Sequence, residues 1–288
     1  MIDTLLEPFA EFAFMRRALV GSLAISMTAP PIGVFLVLRR MSLMGDAMGH
    51  AILPGAAIGY LLAGLSLFAM SLGGFAAGLA VAVAAGLVAR SQIIREDASL
   101  AGFYLLALAL GVFMVSVHGT NVDLLHVLFG SVLAVDDTAL LLVASIATVS
   151  LITLAVIYRP LVLECFDPHF LRSVSRWSSP THLIFLVLVV LNLVAGFQAL
   201  GTLMAVGIML LPAVSSRFWV NSAGGMIMLA VAVAFISSVA GLLVSYHYSV
   251  PTGPTVILAC GVFYLFSMLA GVRGGALWGL IPRRHLEA

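Results

Sequence analysis

Residues 39–64 read RRMSLMGDAMGHAILPGAAIGYLLAG, a run that puts a carboxylate and an imidazole into what otherwise has the composition of a membrane-spanning helix. The two are Asp46 and His50. Four residues on an α-helix are a little over one turn, about 6 Å of rise, so both side chains leave the same face and can share one ligand. Facing lipid, each would cost roughly 2.5 to 3.5 kcal/mol, so a bundle interior or an aqueous path is expected instead. A plainer account is also chemically sound: Asp46 caps the helix, and His50 is a satisfied interior histidine.

The rest of the composition fits a membrane. Of 288 residues 62% are hydrophobic and 9% charged, with mean hydropathy +1.20, whereas a soluble domain carries about 25% charged residues. All thirteen basic residues are arginine. Without lysine there is no GxxxxGK[ST] loop, so this chain does not hydrolyse ATP by that route. Cys165 and Cys260, in an expected loop and an expected span, suggest neither a disulfide nor a thiolate metal site. A net charge of +1 with no basic cluster gives no reason to invoke nucleic acid. The N-terminal MIDTLLEPFAEFAFMRR is acidic before it is basic and lacks a small-residue cleavage pattern, so it is not expected to be a removable signal peptide.

Apolar stretches of spanning length run at about 15–38, 47–64, 67–89, 98–117, 138–158, 181–196, 199–216, 223–246 and 253–271. Nine spans are expected, or eight if 181–196 and 199–216 merge. With nine and the N-terminus outside, only Arg16 and Arg17 lie externally and the other eleven arginines are cytoplasmic, which the positive-inside rule favours. The fold class is therefore an all-α, polytopic transmembrane bundle, N-out and C-in. It forms a single domain over 1–288, with a polar cytoplasmic insertion at about 159–180.

Other features are more ambiguous. His118, Asp123, His126, Asp136 and Asp137 fall in the longest external loop, either as ordinary solvated residues or as a funnel attracting metal. Met41, Met44 and Met48 recur at near-helical spacing, as soft ligands or as packing. Pro30-Pro31 and Pro212 should kink or break their helices. In the insertion RPLVLECFDPHFLRSVSRWSSP, Asp167 and Pro168 are placed to start a short helix whose apolar stripe includes Phe170, Leu171, Val174 and Trp177. Such a helix can lie on the lipid interface or dock into a partner's groove.

Five blocks, in order, resemble the permease subunits of the zinc/manganese/iron family of ATP-binding-cassette importers. They are VLRRMSLMGDAMGHAILPGAAIGYLL at 37–62, VDLLHVLFGSVLAVD at 122–136, FDPHFLRSV at 166–174, GTLMAVGIMLLPAVSSR at 201–217 and VPTGPTVILACGVFYLFSML at 250–269. The resemblance implies that Asp46 and His50 lie on the metal pathway. It also implies that Phe166, Asp167, Pro168, Phe170, Leu171 and Arg172 belong to a coupling helix seated on an ATPase subunit. Where the family usually has Ser before the histidine, this chain has Gly49, and SVSRW at 173–177 stands where the family commonly has Gly. The implied assembly pairs two permease copies with two ATPase subunits in a bacterial inner membrane and takes metal from an extracytoplasmic solute-binding protein.

No tightly bound cofactor is expected, only a transported divalent ion. A carboxylate with an imidazole suits Zn²⁺, Mn²⁺ or Fe²⁺ better than Cu(I), and the borderline character of imidazole leans toward zinc. The rival within transport is a proton-coupled secondary carrier using Asp46 and His50 as a relay. An intramembrane hydrolase is disfavoured, since no HExxH occurs.

Overall fold

The computed structural model describes residues 2–64, 66–90, 96–117, 136–166, 178–273 and 275–279. Among them the chain is helical, with no strand. The helices are α1 (Ile2–Glu11), α2 (Ala13–Leu38), α3 (Leu43–Ala51), α4 (Leu53–Ala63), α5 (Leu67–Arg90), α6 (Glu96–Val117), α7 (Asp137–Phe166), α8 (Ser178–Leu200), α9 (Thr202–Arg217), α10 (Ala223–Tyr248), α11 (Thr252–Ala270) and α12 (Ala276–Gly279). Six of them, α2, α5, α7, α8, α10 and α11, are long and apolar enough to cross a bilayer, and α6 and α9 carry shorter apolar runs.

Polarity across the bundle is inverted relative to a soluble domain. Large apolar side chains such as Phe68, Leu141, Val156, Ile236, Leu258 and Val262 point outward, while Ser22, Ser26, Ser150, Asn192, Ser237 and Ser238 are buried. Asn192 with Ser150, and Ser26 with Ser238, hydrogen-bond between helices, as expected where the surrounding solvent is hydrocarbon. Asn192 Nδ2 on α8 donates to Ser150 Oγ on α7 at 2.8 Å and to its own helix at Leu188 O, 2.9 Å. Helix α2 is the hub. Its spanning window is 78% buried, and it packs on α10, α9, α7 and α8.

Glycine sets the closest approaches. A Cβ on Gly55 of α4 would lie 2.0 Å from the carbonyl oxygen of Gly73 on α5, and one on Gly73 would lie 2.2 Å from that of Gly55, so only glycine fits at either position. Gly55 and Gly59 thus form one close-packing face, with Gly59 set against Ala69 in the same way.

Several boundaries differ from expectation. The stretch 47–64 is not one continuous helix: α3 and α4 meet at Ile52, because Pro54, at the start of α4, has no N–H to donate to the carbonyl of His50. Merging 181–196 with 199–216 is excluded by Gly201, whose φ of 86° ends α8 and starts α9 as a separate helix. Pro30-Pro31 and Pro212 are accommodated inside α2 and α9 without ending either. Residues 159–166 are not loop but the last turns of α7, which places Cys165 on a helix; both cysteines are free.

Helix α10 starts at a conventional cap, with Ser222 Oγ accepting from Gly225 N–H at 3.3 Å. Ser222→Ala should lower stability by about 1 kcal/mol and Ser222→Asn should leave it nearly unchanged, as read by thermal unfolding in detergent.

Candidate functional site

The site begins at the end of α2. Arg39 is the C-cap, Arg40 follows with φ 60°, Arg40 N–H donates to Val37 O at 3.1 Å, and Met41 N–H donates to Leu36 O at 2.8 Å. That pair of bonds is a Schellman turn with arginine in the left-handed position that glycine usually takes. It reverses the chain into α3, a nine-residue helix held by α6, α5, α8 and α9. Gly45 and Gly49 permit this enclosure. A Cβ on Gly45 would lie 2.7 Å from Met209 Cε, and one on Gly49 would lie 3.4 Å from Val206 Cγ2, both on α9.

Asp46 and His50 stand one position further round α3 from those glycines. Asp46 Oδ1 and His50 Nε2 are 3.9 Å apart, too far for a hydrogen bond. Two ligand bonds of about 2.1 Å can span up to roughly 4.2 Å, so one ion can reach both atoms. The His50 ring stacks on Tyr104 of α6, centroids 6.2 Å apart and planes 26° apart. Its Nδ1 is buried and has no hydrogen-bond partner among the described residues. The ring is thus aimed by an aromatic neighbour.

The capping account of Asp46 does not match the geometry. Helix α3 starts at Leu43, three residues earlier, and the Asp46 carboxylate accepts no hydrogen bond among the described residues. Nor does the single chain bury the carboxylate, since the Asp46 side chain is 65% exposed and that of His50 35%. Met41, Met44 and Met48 are buried in the core beneath this face, as packing requires. Among the described residues no cluster of three or more His, Cys, Asp or Glu side chains could hold a metal, so this pair stands without a third such ligand among them.

At the opposite end of the bundle, Asp136 caps α7. Its Oδ1 accepts from Ala139 N–H at 2.8 Å and its Oδ2 from the Thr138 hydroxyl at 2.6 Å. The Thr138 hydroxyl and the Ala139 amide, with a smaller contribution from Arg17, hold the Asp136 carboxyl below its ordinary value. Asp137 pairs with Arg17 Nε at 2.8 Å. The two described aspartates of the expected funnel are thus engaged in capping and pairing. His118, Asp123 and His126 lie outside the described residues.

Sequence reasoning missed a buried charged cluster. Arg39 is 2.5 Å from Glu164 Oε1, in the last turns of α7, and 3.1 Å from His182 Nδ1, near the start of α8. The Arg39 guanidinium also lies over the Phe185 ring, 5.1 Å from its centroid. The cluster fastens both ends of the polar insertion to the turn that leads into α3. Phe166, which ends α7, is exposed. Asp167, Pro168, Phe170, Leu171 and Arg172 lie outside the described residues.

Comparison with known proteins agrees with this architecture. Residues 11–271 match the profile of the ABC 3 transport family. The chain is similar to the manganese import system permease protein ScaB of Streptococcus parasanguinis, 32% identical over 93% of this chain and 94% of that protein. It is also similar to a probable iron transport system membrane protein of Haemophilus influenzae, 31% identical over 93% of this chain and 97% of that one. Among solved structures, PsaBC from Streptococcus pneumoniae in complex with Fab contains a chain that superposes with a TM-score of 0.84. The two are 29% identical, over 96% of this chain and 99% of that one.

Proposed function

The chain belongs to the ABC 3 transport family, and from that premise we propose that it is the permease subunit of an ATP-binding-cassette importer that carries a divalent transition metal into a bacterial cell. The observation that carries the reading is the Asp46–His50 pair, 3.9 Å apart on a helix enclosed by four others. Manganese or iron is the proposed cargo in preference to zinc, because similar proteins are named for manganese and iron transport and the donor set suits all three ions.

ATP hydrolysis belongs to a separate subunit, since the chain has no lysine and hence no P-loop. That subunit is proposed to seat on the segment between α7 and α8, with Phe166, Asp167, Pro168, Phe170, Leu171 and Arg172 at the contact. An extracytoplasmic solute-binding protein delivers the ion. The nine-crossing, N-out and C-in arrangement is retained here, with α3 and α4 together making the second crossing. Support comes from Arg17, Asp136 and Asp137 meeting at one end while Arg39, Arg40, Arg217 and Arg273 gather at the other. A second permease copy is included because Asp46 is exposed in the single chain and two ligands leave a coordination shell unfilled.

The test is reconstitution. Vesicles holding this chain alone should not accumulate manganese. Adding the ATPase subunit, the binding protein and ATP should start uptake, and collapse of the proton gradient should leave it running. Uptake by the chain alone, driven by a pH gradient, would sink the importer reading in favour of a proton-coupled carrier.

A further inference from the structure

Three arginines without carboxylate partners among the described residues converge on one cleft where α2, α9 and α11 end. Arg40, Arg217 and Arg273, with Ser42 and Asn221, line an open cavity of about 580 Å³. Its walls are held together by backbone and side-chain contacts. Arg273 N–H donates to Phe218 O at 2.9 Å, and Trp219 Nε1–H donates to Ser267 Oγ at 2.9 Å. A Cβ on Gly271 would fall 2.5 Å from Phe218 Cβ, so glycine there lets the end of α11 close on the turn after α9. These contacts bring Arg217 and Asn221 to the same rim as Arg273. The Schellman turn supplies Arg40 and Ser42 from the other side.

Two observations point to an anion. Among the described residues, no carboxylate lies within ion-pair distance of any of the three guanidinium groups, whereas Arg17 and Arg39 each have one. Like charges gathered in a cleft repel one another unless a counter-charge joins them. Arg40 also keeps a left-handed φ of 60°, a conformation that strains a non-glycine residue and that glycine would adopt freely. An arginine retained there is accounted for by a use for its guanidinium. The planar fork of arginine matches phosphate oxygens in a bidentate manner, and the Ser42 hydroxyl and Asn221 amide add neutral donors.

We propose that this cleft binds a phosphate group. Two sources share that chemistry. One is the headgroup of an acidic phospholipid, for which the exposed Leu269 and Val272 beside Arg273 provide an adjoining apolar surface. The other is soluble phosphate. A bound phosphate joins the turn that enters α3 to the turn after α9 and to the end of α11.

The experiment uses the full chain in nanodiscs of phosphatidylcholine. One arm replaces increasing fractions of the lipid with phosphatidylglycerol, and the other adds inorganic phosphate. Thermal unfolding and native mass spectrometry of retained lipid are the readouts. The wild type should gain thermal stability as the phosphate-bearing molecule is added. Half-saturation should rise about tenfold or more in Arg217→Gln and in Arg273→Gln, each of which loses a charge-assisted bond. Arg159→Gln, which removes an exposed arginine on α7 outside the cleft, should behave as wild type.

Arg40→Gly keeps the experiment decisive, because glycine suits the turn. Without anion it should unfold at or above the wild-type temperature, yet respond less to phosphate. A response to phosphatidylglycerol alone assigns the cleft to lipid, and an equal response to inorganic phosphate assigns it to a soluble anion. No response in either arm overturns the proposal. So does equal weakening in Arg159→Gln, or loss of ATPase-subunit binding in the cleft variants without any phosphate effect, which would make the cleft a protein contact.

Discussion

Glu164→Ala is expected to destabilise the folded chain by about 3 to 5 kcal/mol, because it leaves the Arg39 guanidinium buried without its carboxylate. The Arg39 and Glu164 side chains are 9% and 7% exposed, so neither charge can turn to water when the other is removed. His182, 3.1 Å from the Arg39 guanidinium, is no substitute: a neutral imidazole only accepts one hydrogen bond, and a protonated one repels the arginine. The double replacement Arg39→Met with Glu164→Leu should recover most of the loss, since apolar residues of similar volume often replace a buried ion pair without cost. Thermal unfolding of the three proteins in one detergent measures both effects. A loss under about 1 kcal/mol for Glu164→Ala would mean that the pair behaves like a solvent-screened surface contact.

That cluster also shows where reading the sequence stops. Arg39 and His182 are 143 positions apart, and nothing in the spacing of arginines, glutamates and histidines joins them. Only the packing of α2 against α7 and α8 does so. Arg40, Arg217 and Arg273 are equally remote from one another, and in the sequence they served only to count charges on one side of a membrane. Tyr104 gives no signal either, being one aromatic residue in an apolar helix.

Other parts were legible for physical reasons. A carboxylate and an imidazole in an apolar run are conspicuous because hydrocarbon penalises them, and Asp46 and His50 stand out in the sequence for that reason. The GxxxG spacing of Gly55 and Gly59 is the sequence sign of the close contact of α4 with α5, and the same spacing in Gly45 and Gly49 is that of the contact of α3 with α9. The division of 47–64 was encoded in Pro54, but hydropathy averages over a proline and ran the two helices together. The separation of α8 from α9 was legible from the arginines, since merging them would put Arg217, Arg273, Arg283 and Arg284 on the side away from the other cytoplasmic arginines. The break itself, at Gly201 with φ 86°, was one glycine among many. Hydropathy could not rank the helices by depth. Helices α2 and α10 have comparable length and both read as spans, yet their spanning windows are 78% and 39% buried. What separates them is the number of neighbours each meets in the bundle.

The second large effect concerns Asp46. Asp46→Asn preserves the size of the side chain and its capping ability while removing the charge. A cap would tolerate the change, and no capping bond is there to be lost. A metal ligand would not, because the neutral amide is a far weaker donor to a divalent cation than a carboxylate. Changes even behind a metal's direct ligands commonly cost 10- to 100-fold in affinity, so loss of the ligand itself should reduce transport by on the order of 100-fold or to background. His50→Ala should match it, with the added loss of stacking on Tyr104. Reporting thermal stability alongside transport separates a lost ligand from a damaged fold, since Asp46 is 65% exposed and its replacement should leave the unfolding temperature nearly unchanged.

The most direct measurement is manganese uptake by vesicles containing the chain with its ATPase subunit and binding protein at neutral pH, wild type against Asp46→Asn, normalised to permease in the membrane. The account predicts background uptake by the variant at wild-type abundance and stability. Full uptake by Asp46→Asn would remove the carboxylate from the metal path and leave the pair on α3 with a purely structural role.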